Sequence, residues 1–380
     1  MEPIFYGKQT IDEGDIALVT EALQSPLITT GEYVELFEQK LAQTCGAKYA
    51  ISVSSGTAAL HLVALALLCE GDKVLTTPNS FVATSNAIVY AKAEPLFVDI
   101  DDEGNIDLEL CEQELQKDKS IKALFAVAFS GKMLDQNKLK DLQEKYNLII
   151  VEDLCHALGA KEMHATGDIV AGSGYASWAS VFSFHPVKHI TTAEGGAITT
   201  NSQALHDKLK MLRNHGITRA NSSQPWEYEM QQLGFNYRLS DIHSALGVSQ
   251  LGRLDSFIET RIRIAKRYDD LLAGTPICPL YAFSEHSSYH LYVVQIDFAS
   301  LRISRQELFS QMKEQNIFLQ VHYIPIYKQP FYQKLGYNSV SLPHAERYYE
   351  QCVSLPIYPS LAQEEQEFVV SALTKILCTK

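Results

Sequence analysis

From residue 49 to residue 153 short apolar runs alternate with amphipathic segments, and that rhythm leaves the chain few folds to choose from. The runs at 49–53, 73–76, 94–99, 121–129 and 148–153 are bounded by turn residues and read as strands. Helical stretches at about 57–68, 80–90, 108–115 and 138–146 separate them. Strands joined through helices of this length need crossover connections, which predicts an α/β fold with a mainly parallel central sheet covered by helices on both faces. The stretch 180–201 adds two more strands around a turn that carries Lys188, with Gly195 and Gly196 opening the second strand.

Before this region, residues 11–44 read as amphipathic helices broken by a loop at 25–31. After it the chain turns helical and ends in one long periodic segment at 240–272. Pro276 and Pro279 then mark a boundary. We expect a large domain over 1–274, with an N-terminal arm and a long linking helix, and a small C-terminal α+β domain over 275–380. The small domain should hold strands at 290–297 and 318–323 and helices at 305–315 and around Ala345 and Gln363.

With 32 basic and 45 acidic residues the chain carries a formal charge of −13, which argues against binding nucleic acid or an anionic membrane through bulk electrostatics. Any bound phosphate must sit in a local site. The seven cysteines form no Cys-x-x-Cys pair and fit reduced thiols in a cytoplasmic protein. The first residues lack the pattern of a secretory signal, and Leu60 to Leu68 is too short to span a bilayer.

Four places carry chemistry. Lys188, on a turn beside a buried sheet, is a candidate for a desolvated amine suited to Schiff-base formation, or an ordinary loop lysine. Ser54-Ser55-Gly56-Thr57 delivers a strand to a helix N-terminus, so it is either an anion cradle or a plain helix cap. It is no Walker loop, and Gly172-Ser173-Gly174 lacks the third glycine of a dinucleotide fingerprint. Asp153 ends an apolar strand with His156 three residues on; there it can pair with a protonated heterocycle nitrogen, or cap the next segment. A metal site from Asp153, His156, His185 and His189 has no further ligand implied nearby. Phe81 can stack on a planar cofactor or belong to the core, and Arg238, beside Asn236 and Tyr237, can hold a carboxylate or phosphate or pair locally.

A phosphate cradle, a stacking aromatic, a strand-end aspartate, a serine and a lysine, in that order, resemble the fold-type I pyridoxal phosphate enzymes. Ser183-Phe184-His185-x-x-Lys188, followed by Thr191-Thr192-x-Glu194-Gly195-Gly196 and by Asn236-Tyr237-Arg238, is similar to the DegT/DnrJ/EryC/StrS sugar aminotransferases. The resemblance runs from Tyr6 to the last helix. It implies an aspartate aminotransferase-like fold, pyridoxal 5'-phosphate alternating with its amino form, L-glutamate as donor, and a UDP-linked 4-keto-6-deoxy sugar aminated at C4. It also implies a homodimer with shared active sites. Carried onto this chain, Lys188 would hold the cofactor and move the proton, and Asp153 would pair with the ring nitrogen. Gly56, Thr57 and Ser183 would hold the phosphate, Phe81 would stack on the ring, His156 would lie near the ring hydroxyl, and Asn236 would reach the phosphate in the partner subunit. Tyr6, the loop Pro26, Leu27, Ile28 and Thr29, and the segment Gln320, Val321, His322 and Tyr323 match positions that contact the nucleotide sugar. Arg238 joins them as a candidate for the substrate's anionic groups. Segments 76–84, 155–159 and 320–327 are most similar to the branch of the family serving pseudaminic acid biosynthesis. His189 departs from that branch, which carries proline there, and 221–230 has no clear counterpart. A sugar dehydratase on this fold would carry histidine in place of Lys188, and a DNA-binding regulator would need a basic module that this chain lacks.

Overall fold

The computed structural model describes residues 2–165, 167–219 and 224–378, so 221–223 of the unmatched stretch lie outside the described residues. Its centre is a seven-stranded sheet: β1 Tyr49–Val53, β2 Lys73–Thr76, β3 Glu94–Phe97, β4 Ile121–Val127, β5 Ile149–Asp153, β6 Ala179–Ser183 and β7 Gly196–Thr200. The order across the sheet is β1-β7-β6-β5-β4-β2-β3. Neighbours from β6 to β3 pair in parallel, and β7 runs antiparallel to both β6 and β1. Alternate residues of one strand enter different cores: Leu124 and Ala126 pack on one face, Ala123 and Phe125 on the other. A strand buried on both faces has to be apolar throughout, which is why these runs lack a polar side.

Polar side chains at their N-termini start several of the helices that cover the sheet. Ser55 accepts from Ala58 N–H at 3.1 Å to begin Gly56–Leu67, and Asp107, Asp135 and Ser202 cap later helices in the same way. Buried Asp241, which begins the helix Asp241–Leu251, accepts from the N–H groups of Gly31 and Tyr33 at 2.6 and 2.9 Å and so fixes the start of Glu32–Cys45. A second core gathers around an antiparallel sheet of β8 Ile277–Pro279, β9 Tyr292–Ile296 and β10 Cys352–Leu355, in that order. It packs against Gln363–Cys378 and against Ile264, Tyr268 and Leu272 of the helix Leu254–Leu272. Among the described residues no helix is long and apolar enough to cross a membrane.

Three sequence expectations change. The segment 240–272 is two helices, Asp241–Leu251 and Leu254–Leu272, because the chain turns at Gly252 and Arg253. Glycine is a weak helix former, and Arg253 is drawn aside into ion pairs with Asp12 and Asp15. Helix 80–90 begins only at Ala83, which leaves Phe81 in the preceding turn. Of the expected strand 318–323 only Ile317–Phe318 is strand, paired in parallel with Ile4–Phe5; a two-residue partner cannot extend the ladder, and residues 320–323 turn to a cavity wall.

Gly196 ties the sheet to the first helix, since it is in register with both Ser183 and Val53. A Cβ there would meet the Ser55 carbonyl carbon at 2.4 Å and Gly56 N at 2.5 Å, and backbone cannot move aside cheaply. Gly196→Ala is expected to cost about 1–3 kcal/mol, read as a lower urea midpoint at unchanged slope. An unaltered midpoint would mean that the contact is not tight.

Candidate active site

The carboxyl ends of β1, β4, β5 and β6 meet at one edge of the sheet, where ligands of open α/β sheets bind. Around them is a cavity of about 540 Å³. β1 supplies Ser55, Gly56 and Thr57; β4 supplies Val127; β5 supplies Asp153, Cys155 and His156; β6 supplies Ser183 and, beyond it, Lys188. The turn after β2 adds Ser80, Phe81 and Thr84, while Tyr6, His290 and residues 320–323 form the opposite wall.

Asp153 is buried, and two donors hold its carboxylate: Thr84 Oγ1 to Oδ2 at 2.6 Å and Cys155 N–H to Oδ1 at 3.1 Å. A carboxylate so fixed is suited to a cationic ring nitrogen. Lys188 is half-buried, and its Nζ lies 3.2 Å from His290 Nε2. Loss of solvent lowers its pKa, against the opposing pull of Cys155 and Asp153. The first amides of Gly56–Leu67 have no intrahelical acceptor and, with the Thr57 and Ser183 hydroxyls, present donors to an anion. A Cβ on Gly56 would come within 2.9 Å of Ser183 Cβ, so only glycine leaves this cradle its shape. The donor set, the lysine and the aspartate thus fit a phosphorylated pyridine aldehyde.

His156, His189, His290 and His322 are all buried in or beside this site. The His156 ring stands 4.4 Å from that of His290 and shares a 3.2 Å contact from Nε2 to Tyr323 Oη. Burial first, and then the Lys188 charge, holds His156 and His290 well below the usual histidine range and takes His322 down to about 3. His189 is lowered in the same way, by burial and then by the Arg261 charge.

Of the residues that the resemblance assigned to the site, twelve line the cavity: Tyr6, Gly56, Thr57, Phe81, Asp153, His156, Ser183, Lys188, Gln320, Val321, His322 and Tyr323. Phe81 is 60% exposed, which sets aside the core alternative. Pro26, Leu27, Ile28, Thr29, Asn236 and Arg238 do not reach it. They share a neighbouring surface, because Thr29 bridges to Ser240 and Arg238 to Val53, and Arg238 donates to Asn214 Oδ1 at 2.5 Å. Among the described residues no group of three or more His, Cys, Asp or Glu could hold a metal ion. The sequence reading missed His290 and Thr84; each meets its partner across a long stretch of chain, and no local pattern signals that.

The buried histidines make stability depend on pH. The unfolded chain binds their protons near pH 6.5 and the folded chain does not, so their contribution is complete above that pH and is lost as pH falls. Between pH 7 and 5.5 the cofactor-free protein should lose about 1 kcal/mol per histidine, read by urea unfolding at both values. A flat or rising profile would contradict this placement.

Residues 9–374 match the DegT/DnrJ/EryC1/StrS aminotransferase family. A protein of Campylobacter jejuni serotype O:2 named UDP-4-amino-4,6-dideoxy-N-acetyl-beta-L-altrosamine transaminase is 38% identical over 375 residues, which cover 98% of this chain and 97% of that protein. The solved structure of Helicobacter pylori PseC, an aminotransferase of pseudaminic acid biosynthesis, superposes with a TM-score of 0.92 at 33% identity and full coverage of both chains. The pyridoxal phosphate form of a putative sugar aminotransferase, Spr1654 of Streptococcus pneumoniae, gives a TM-score of 0.89 at 28% identity, with 99% of each chain covered. The fold is therefore that of the pyridoxal phosphate aminotransferases, and pyridoxal phosphate is the cofactor that the cradle, Asp153 and Lys188 suit. This chain belongs to the DegT/DnrJ/EryC1/StrS aminotransferase family.

Proposed function

We propose that this enzyme transfers the amino group of L-glutamate to C4 of UDP-2-acetamido-2,6-dideoxy-β-L-arabino-hex-4-ulose. The product is UDP-4-amino-4,6-dideoxy-N-acetyl-β-L-altrosamine, a step of pseudaminic acid biosynthesis in the cytoplasm. The observation that carries this reading is the single cavity in which Lys188, Asp153 and the Gly56 cradle face Gln320 to Tyr323. Likeness over nearly the whole chain to relatives named for that reaction supports the choice of sugar.

Bound pyridoxal phosphate supplies the electron sink that lets an amino group leave one carbon and join another. The protein's residues do the rest. Gly56, Thr57 and Ser183 would hold the phosphate. Asp153, steadied by Thr84, would pair with the ring nitrogen and favour its protonated form. Phe81, on the turn after β2, would stack on the ring. Lys188 would take and return the proton at the reacting carbon, and its pKa, lowered by burial, favours the amine that this needs. Tyr6, whose ring stands 5.4 Å from that of His322, closes the wall where the nucleotide sugar would lie.

We assign the residues outside the cavity to a second copy of the chain. Leu27 and Ile28 are 57% and 46% exposed, and Asn236 is exposed beside them. That surface suits a homodimer in which Asn236, Arg238 and Pro26 to Thr29 complete the partner's site.

A second reading, amination of another nucleotide-linked 4-keto-6-deoxy sugar, has support from a Bacillus subtilis relative named for spore coat polysaccharide biosynthesis, 33% identical over 386 residues. Incubation with glutamate and each ketosugar epimer, followed by NMR of the product, separates the two. Amination of the L-arabino substrate is expected, and preference for the D-configured epimer would refute the assignment. Lys188→Ala should lose the visible absorption band of the bound cofactor and lower turnover by about 10²–10⁴-fold. Wild-type turnover in that variant would remove Lys188 from the mechanism.

A further inference from the structure

The hydrogen bond between Lys188 Nζ and His290 Nε2 has a direction that the surroundings of His290 decide. His290 is 4% exposed, and its other ring nitrogen, Nδ1, is buried with no hydrogen-bond partner. Two neutral tautomers are available. With the proton on Nδ1, the ring would accept from Lys188 and strand a buried N–H; with the proton on Nε2, it donates to Lys188 and leaves only an unused lone pair at Nδ1. Orphaned buried N–H groups are rarer in proteins than under-used acceptors, so the second tautomer is favoured. A charged ring is excluded by its burial, with the Arg261 guanidinium adding to the cost.

A donor on His290 needs a lone pair on Nζ, which the amine has and the ammonium lacks. We propose that His290 holds the freed Lys188 in its neutral, proton-accepting form by donating Nε2–H to it. The role follows from the transaminase chemistry of the family and does not depend on which sugar is aminated. Protonation of Lys188 would break this bond or force His290 into the tautomer with the stranded N–H.

The other groups around Lys188 divide. Asp153 and Cys155, at the end of β5, favour the ammonium. Arg261, on Leu254–Leu272, opposes it, and His156, His189 and His322 are neutral neighbours. Arg261 also fixes the ring's position. It is fully buried, and its Nη1 donates to the carbonyls of Tyr289 and of His290 itself, just before β9, at 3.1 and 3.4 Å, and to that of Ile357, just after β10, at 3.0 Å. His290 is thus a residue touching the reacting amine, and Arg261 a positioning residue behind it.

The test uses enzyme loaded with pyridoxamine phosphate, in which Lys188 is free. Its reactivity toward acetic anhydride is followed against pH, with the Lys188 peptide quantified by mass spectrometry. His290→Phe, which removes the donor, should raise the midpoint by about half to one pH unit, and His290→Gln, which restores one, should bring it back toward wild type. A purely structural role would lower stability in both variants and leave the midpoint in place, and an unmoved or lowered midpoint in His290→Phe would overturn the proposal. Neutron diffraction on the wild-type enzyme in the same form needs no variant to fold: deuterium on Nε2 of His290 is expected, and deuterium on Nδ1 alone would overturn it. None of these readouts changes if the sugar has been chosen wrongly.

Discussion

A lysine amine taken out of water loses much of what stabilises its charge, and in this enzyme several stretches of chain combine to take it out. The turn after β6 carries Lys188, the end of β5 brings Asp153 and His156, the segment before β9 brings His290, and residues 320–323 close the cavity wall. The carboxylate pulls one way and desolvation the other, and desolvation prevails. The rest of the site is arranged so that this balance is not upset. The histidines around the lysine stay neutral because burial denies them their protons, so they fill the space without adding charge.

The sheet sets the distances. Four strands point their carboxyl ends at one edge, so the cradle, the aspartate, the serine and the lysine arrive together though more than a hundred residues separate the first from the last. Gly196 makes this possible, because its missing side chain lets β7 lie against the Ser55–Gly56 peptide while pairing with β6. The same closeness puts Ser183 beside the start of the first covering helix, where backbone amides and hydroxyls can share one phosphate. Buried Asp241 plays a comparable part: it joins the loop before Glu32–Cys45 to the segment after Arg238, so the two candidate elements of a shared site are tied together.

Much of this was legible in the sequence, because the decisive residues sit in local contexts that repeat the logic of the sheet. Asp153 ends an apolar strand, Ser55 to Thr57 join a strand to a helix, and Lys188 lies on the turn between two strands; each can be read within a few residues. What was not legible depends on contacts that the local pattern does not encode. The break at Gly252 needs Arg253 to reach Asp12 and Asp15 on an early helix. The apolar run 318–323 reads as a strand until one sees that its pairing amounts to the two-residue strand at Ile4–Phe5 and a single bridge from Gln320 to Ser354. His290 reads as the first residue of a strand, and only the fold brings its ring to Lys188, 102 positions earlier. Arg261 looks like one polar position on an amphipathic helix, yet it is fully buried, where its guanidinium holds the backbone around His290.

The central claim is that one amine, Lys188, is the group that burial prepares for the cofactor. Incubation of the protein with pyridoxal phosphate, reduction with borohydride and peptide mapping by mass spectrometry tests it directly. The account predicts a pyridoxyl group on Lys188 in near-stoichiometric yield, with the surface lysines left unmodified at limiting cofactor. Stoichiometric labelling at any other lysine, with Lys188 unmodified, would contradict it.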